Sequence, residues 1–195
     1  MPSRILKRDF YDRDTETVAR EMLGTILECR TERGVTSGVI VETEAYIGEE
    51  DPACHAAVGR TRRTDPLYGR PGLSYVYFIY GVHWCFNAVT RAEGLPSAVL
   101  VRALQPIGGV ALMKERRGPR IDAVNLTNGP GKLCAALGID GPMNGLSLQR
   151  GPLVIREGES VHASQIVTTT RIGITKAADW PLRYYIAGNE YVSRR

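Results

Sequence analysis

The chain has 195 residues, 43% hydrophobic and 24% charged, with 25 Lys and Arg against 21 Asp and Glu for a formal charge of +4. These values describe a globular chain long enough to bury a core unaided, and they exclude a disordered or low-complexity one. No apolar run approaches the ~20 residues of a membrane span, and the opening MPSRILKRDF lacks an apolar signal core, so a cytoplasmic protein without a membrane partner is expected.

The first predicted element is a helix that starts at Asp14-Thr-Glu-Thr and runs through Val18, Ala19, Met22 and Leu23 to Gly24. Its apolar spacing is helical, Asp14 or Thr15 can cap it, and Gly24 supplies a left-handed exit. Residues 24–30 read as a strand, Arg33-Gly34 as a turn, and residues 38–46 as the hairpin partner. Residues 47–73 have little apolar periodicity and hold Gly48, Pro52, Gly59, Gly69, Pro71 and Gly72. A loop of that length in a compact domain is usually functional. Strands follow over 73–80 and 82–87, hinged at Gly81, and over 96–104. Helices are predicted over 109–117 and 128–138, and strands over 153–156, 166–174 and 182–186. There is no repeat, linker or charge block. The fold class is α+β, a single domain over 1–195 with a mixed, mostly antiparallel sheet and peripheral helices.

Cys29, Cys54, Cys85 and Cys134 fall in no CxxC or Cys/His pair at zinc spacing, so buried thiols are expected, with no metal and no cofactor. Cys54-His55 is not read as a dyad, because neighbours on an extended segment point to opposite sides. The basic residues are lopsided, 21 Arg and 4 Lys. Arginine suits bidentate phosphate contacts, but a GC-rich genome produces the same bias. The charge therefore admits a polyanionic partner without requiring one.

Five carboxylates crowd together: Glu42, Glu44, Glu49, Glu50 and Asp51. The last three read as a solvated face. Glu42 and Glu44 end an apolar strand and, by alternation, share a face with Ile40 and Tyr46. Glu44 is thereby a candidate general base beside the long loop. In the aromatic run from Tyr75 to Tyr80, Tyr75 and Phe78 read as core, whereas Tyr80 at a turn tip has nothing to pack against and suits insertion between bases. His55, Asn87 and Arg102, taken singly, read as ordinary structural residues. Asn128-Gly-Pro-Gly-Lys132 lacks the spacing of a nucleotide-binding loop and reads as a helix N-terminus able to meet a phosphate.

Together these pieces resemble the alkyladenine (3-methyladenine) DNA glycosylase family. The matching motifs are Val41-Glu-Thr-Glu44-Ala-Tyr46, His55, Tyr75-Val-Tyr77-Phe-Ile-Tyr80-Gly81, Asn87 and Leu100-Val-Arg102-Ala-Leu104. Asn128 to Cys134, Arg171-Ile-Gly-Ile-Thr175, Trp180 and Pro181 to Tyr185 continue it in the same order. The resemblance implies a curved antiparallel sheet with a protruding hairpin that enters the DNA minor groove. It implies a monomeric, monofunctional hydrolase that flips alkylated or deaminated purines out of double-stranded DNA and leaves an abasic site. 3-Methyladenine, 7-methylguanine, hypoxanthine and ethenoadenine are the expected lesions.

Carried across by motif, Glu44 is the general base for water, Arg102 holds that water and orients the carboxylate, and the backbone carbonyl of Ile174 completes its site. Tyr46 and His55 form one wall of the base pocket and Tyr77 the other. Asn87 crowds the guanine 2-amino group, and Tyr80 is the wedge. Arg60, Arg62 and Arg63, with Arg70 and Lys132, are candidate backbone-phosphate contacts. His83, in the Val82-His83-Trp84 departure from the animal pattern, is a candidate groove contact. The alternative reading is a non-catalytic binder of damaged or structured nucleic acid. A sugar hydrolase built on Glu42 and Glu44 is disfavoured, since both carboxylates would approach from one side.

Overall fold

The computed structural model describes residues 3–194. The N-terminal helix forms because Asp14 caps it, accepting the Thr17 N–H at 3.0 Å, and it ends before Gly24 at φ 85°. It is the second helix, α2 (Thr15–Glu21), after a single turn α1 (Arg8–Tyr11) that the sequence pattern did not reveal. Next come β1 (Ile26–Thr31) and the long β2 (Gly34–Tyr46), then β3 (Ser74–Ile79), β4 (His83–Val89) and β5 (Ala98–Gly108). Helices α3 (Val110–Arg117), α4 (Ala123–Leu126) and α5 (Pro130–Leu137) precede β6 (Leu153–Arg156), β7 (Ile166–Thr169) and β8 (Arg183–Ile186).

The eight strands make one sheet in the order β3-β4-β5-β2-β1-β6, with β8 pairing both β2 and β7. Every pairing among the described residues is antiparallel, in keeping with the mostly antiparallel sheet expected. Strand β2 is the axis of this arrangement. One edge of it pairs with β1 over its first half and with β8 at Glu42–Glu44, while the other edge pairs with β5.

The β2–β5 register breaks at Ile40/Glu42 and again at Glu42/Thr43. Ile40 and Leu104 pack into the main apolar cluster on one side of the break, and Ala45, Val99 and Val101 on the other. Since alternate residues face opposite sides, both strands change face across the irregularity. Ile40 is therefore a core residue and does not share a face with Glu44, contrary to simple alternation. The same break turns Glu42, Glu44 and Arg102 away from the apolar cluster.

Residues 47–73 form no strand but contain two short 3-10 turns, His55–Val58 and Asp65–Tyr68. A second apolar cluster of Cys54, Ala56, Leu67, Tyr68, Tyr75, Val89 and Ala98 pins this loop to the sheet. All four cysteines are free and buried. The last predicted long strand stops early: β7 ends at Thr169, and the chain then leaves the sheet as Arg171 turns into the interior.

Hairpin β3–β4 is closed by Tyr80-Gly81-Val82, with Ile79 opposite His83. The Val82 N–H bonds the Ile79 carbonyl at 3.2 Å around Tyr80 and Gly81, both at positive φ (54° and 69°) as a type I′ turn requires. Tyr80 is 80% exposed and Val82 is 65% exposed. Phe78, expected in the core, is 44% exposed, with Trp84 as its aromatic partner at 4.7 Å between ring centroids. The hairpin end carries Phe78 and Tyr80 beyond the core, while Trp84 packs against it. The left-handed Tyr80 is strained for an L side chain. Tyr80→Asn, which tolerates that conformation, is expected to keep or raise stability by up to about 1 kcal/mol in urea denaturation; a clear loss would mean that the ring is packed.

Candidate active site

Glu44 is 0% exposed in the middle of the sheet, flanked in register by Leu100 on β5 and Arg183 on β8. A buried carboxylate needs donors, and it has three. Oε1 accepts the Ile172 backbone N–H at 2.7 Å and lies 3.1 Å from an Arg102 guanidinium nitrogen; Oε2 accepts the Tyr46 hydroxyl at 2.8 Å. Three of roughly four acceptor positions of a carboxylate are thus used, leaving one at Oε2. Burial pushes the Glu44 carboxyl above its ordinary value, against the pull of Arg102, the Ile172 N–H and Tyr46. Burial and the Glu44 charge push the Tyr46 hydroxyl far upward, so Tyr46 stays a donor.

Glu42 is equally buried and takes four donors. It receives Arg102 Nε at 3.2 Å, an Arg183 guanidinium nitrogen at 2.9 Å, the Ser193 N–H at 2.6 Å and the Ser193 hydroxyl at 2.9 Å. Neither carboxylate lines the adjoining cavity, but the three donors to Glu44, namely Tyr46, Arg102 and Ile172, all do, whereas of the donors to Glu42 only Arg102 does. The geometry of Glu42 is that of a counter-ion which fixes Arg102.

A cavity of about 340 Å³ opens beside Glu44, within the usual size range of small-molecule sites. Tyr46, His55, Tyr77, Tyr80, Asn87, Arg102 and Ile174 all line it; Glu44 stands directly behind Tyr46 and Arg102. Asn87 is fixed by donating its amide to the Tyr75 carbonyl at 3.0 Å. His55 Nδ1 lies 2.9 Å from the Tyr75 hydroxyl, and burial followed by the nearby Arg63 holds the imidazole below its usual pKa, hence neutral at pH 7. The His55 and Tyr77 rings do not stand as separate walls. Their centroids are 4.5 Å apart at 71°, edge to face, whereas an aromatic occupant between two rings needs about 7 Å. His83 lines the same cavity and abuts the start of α5, where a Cβ at Gly131 would fall 2.8 Å from its ring.

The sequence reading missed two residues here. Asp51, expected on a solvated face, is fully buried and forms a bidentate pair with Arg171. It also accepts the backbone N–H groups of Ile47 at 3.1 Å and Ala53 at 3.0 Å. Burial opposes its ionisation, but the Arg171 and backbone hydrogen bonds win and hold the carboxyl below its ordinary value. Arg171 in turn donates to the Ala45 carbonyl at 3.1 Å and lies over the Tyr46 ring, 4.7 Å from its centroid. The only signal in the sequence was the Arg171-Ile-Gly-Ile-Thr motif, which does not name its partner. Among the described residues, no three of His, Cys, Asp and Glu group as a metal site.

A family model described as methylpurine-DNA glycosylase matches residues 9–190. The chain belongs to that family. A relative from Methanoculleus marisnigri is 52% identical over 189 residues, covering 95% of this chain and 97% of the relative. One from Desulfitobacterium hafniense is 47% identical over 199 residues, covering 96% and 98%. Both names assign them provisionally as 3-methyladenine DNA glycosylases.

Of the glycosylase-family basic residues proposed for phosphate contact, Arg60 pairs with Asp65 at 2.8 Å and Arg70 reaches Glu93 at 3.4 Å. Lys132 donates to Asn128 Oδ1 at 2.8 Å, and Arg62 is exposed. None of these four lines the cavity; only Arg63 borders the groove beside it. Removing one partner of a buried ion pair strands the other charge, at about 3–5 kcal/mol. Asp51→Ala is therefore expected to lower the unfolding free energy by about that amount in chemical denaturation; a change under about 1 kcal/mol would show the pair to be exchangeable with water.

Proposed function

We propose that this family member is a monofunctional DNA glycosylase that hydrolyses the N-glycosidic bond of alkylated or deaminated purines flipped out of duplex DNA. The observation that carries this reading is Glu44: a buried carboxylate with one acceptor position left, whose three donors, Tyr46, Arg102 and Ile172, all line a cavity rich in aromatic rings. A pure binding pocket has no use for a carboxylate kept charged at such desolvation cost. The substrates are double-stranded DNA carrying lesions of the 3-methyladenine, 7-methylguanine, hypoxanthine and ethenoadenine type, and the protein works as a monomer.

In the mechanism, the ionised Glu44 accepts a proton from water at its remaining Oε2 position. Arg102, anchored by Glu42, fixes the carboxylate and adjoins the water, and the Ile174 carbonyl is its third partner. The C1′–N bond breaks with oxocarbenium character, its electron pair leaving with the purine, and the water oxygen bonds to C1′. The buried carboxylate also stabilises the positive charge growing on the sugar. Tyr46 and Tyr77 stack on the extruded base, and His55 swings from its contact with Tyr77 to admit it. Asn87, locked by Tyr75, crowds a purine 2-amino group. Tyr80, exposed at the strained hairpin tip, fills the gap in the duplex and offsets part of the few kcal/mol that base extrusion costs.

The test is a duplex with a single hypoxanthine or ethenoadenine, incubated with protein and then treated with alkali. Strand scission at the lesion is expected from the wild type. Glu44→Gln is expected to bind the same duplex while excising about 10²- to 10⁴-fold more slowly, the usual worth of a positioned base. No alkali-labile site from the wild type with any alkylated or deaminated purine would reject the reading.

A further inference from the structure

Arg63 differs from its neighbours in the basic turn. Arg60 and Arg70 have carboxylate partners, but Arg63 has none within ion-pair distance among the described residues. Its guanidinium instead lies over the Tyr77 ring, 5.6 Å from the centroid. It also reaches the Tyr75–His55 pair: it opposes the upward shift that burial gives the Tyr75 hydroxyl, and it adds to the effect of burial in keeping His55 uncharged. Arg63 lines a groove of about 820 Å³ that runs into the cavity, sharing Ala53, His55, Tyr80 and Ile174 with it.

The other guanidiniums near the aromatic pocket are paired with carboxylates. Arg171 over Tyr46 is neutralised by Asp51, and Arg102 by Glu44 and Glu42. Lys176 and Glu49 both border the groove, with opposite signs, and Glu49 also accepts the Tyr68 hydroxyl at 2.5 Å. His55 contributes no charge. Arg63 is therefore the guanidinium over the stacking surface that no carboxylate pairs with among the described residues.

We propose that Arg63 is a charge-selecting residue that makes the cavity favour electrically neutral purine lesions over those carrying a fixed positive charge. The inference rests on the glycosylase reading above and adds to it the lesion class preferred. Two effects act in the same direction. An aromatic face already engaged by one cation is a poorer partner for a second. The charge flow of the reaction adds the other. When the C1′–N bond of a neutral purine breaks, the departing electron pair makes the base negative, and Arg63 attracts it. When the bond of an N-alkylated cationic purine breaks, the pair neutralises the base while the sugar becomes positive. The reacting nucleotide then keeps its charge of about +1 throughout and is repelled both in the ground state and in the transition state.

The experiment compares single-turnover kcat/KM for hypoxanthine, a neutral lesion, and 7-methylguanine, a cationic one, in one duplex context. Wild type, Arg63→Gln and Arg63→Lys are measured at two salt concentrations. Any loss of phosphate contact slows both lesions alike, so the ratio isolates charge selection. Arg63→Gln is expected to raise the cationic-to-neutral ratio about three- to tenfold, as for a partly solvated charge. Arg63→Lys is expected to keep the wild-type ratio, and added salt to shrink the difference between wild type and Arg63→Gln. An unchanged ratio in Arg63→Gln would overturn the proposal, as would Arg63→Lys shifting it as far as Arg63→Gln. Failure of the underlying reading looks different, because the wild type would then excise neither lesion.

Discussion

The structure is organised around one guanidinium, Arg102, held between two fully buried carboxylates, Glu42 and Glu44, in the centre of an antiparallel sheet. Each buried ion costs several kcal/mol in lost hydration, and the cluster persists because its charges balance and each of its ions has hydrogen-bond partners. Arg183 supplies the second positive charge, so two carboxylates face two guanidiniums. Residue types alone do not bring these groups together; the break in β2–β5 register does. By exchanging faces at that point, both strands keep apolar side chains in the core and collect the charged ones on the side of the cavity.

Asp51 and Arg171 form a second buried pair, with the Arg171 guanidinium over the Tyr46 ring. The two clusters share a backbone segment. Arg171 is locked by Asp51, and the next residue, Ile172, gives its N–H to Glu44. The irregular stretch that follows β7 is thus tied at one end by an ion pair and at Glu44 by a hydrogen bond, and it brings Ile174 to the cavity. Short loops with buried anchors hold a site more rigidly than loops of the same length in solvent. The protein has accordingly spent backbone regularity, at 170–174 and at the β2–β5 break, to fix the surroundings of one carboxylate.

Parts of this were legible in the sequence for definite reasons. The helix at Asp14 shows its cap and its glycine exit; Tyr80 shows its exposure because a turn tip offers no packing partner. Glu44 shows itself as a carboxylate at the end of an apolar strand. The family motifs then gather Tyr46, His55, Tyr77, Asn87, Arg102 and Ile174, and the structure places all six around one cavity. What stayed hidden depends on long-range partners. Asp51 in a run of acids looks solvated until Arg171, 120 residues away, is placed against it. Ile40 was assigned to the wrong face because a register break is invisible to period-two counting. Phe78 looks like core because its neighbours are, yet it lies near the tip of the hairpin, where β3 runs beyond the core. The contact between His55 and Tyr77 depends on how the long loop folds back, which no local pattern specifies.

The central claim is that Glu44 must be ionised to act and that burial holds its carboxyl above the ordinary value of 4.5. The most direct measurement is the pH dependence of single-turnover excision of a neutral lesion. A base with a raised pKa is inactive while protonated, so the rate is expected to fall as pH drops through a midpoint above 4.5. That acidic limb should be missing from the residual activity of Glu44→Gln. A rate that stays level down through the ordinary carboxylate range, or an acidic limb that survives in Glu44→Gln, would contradict the account.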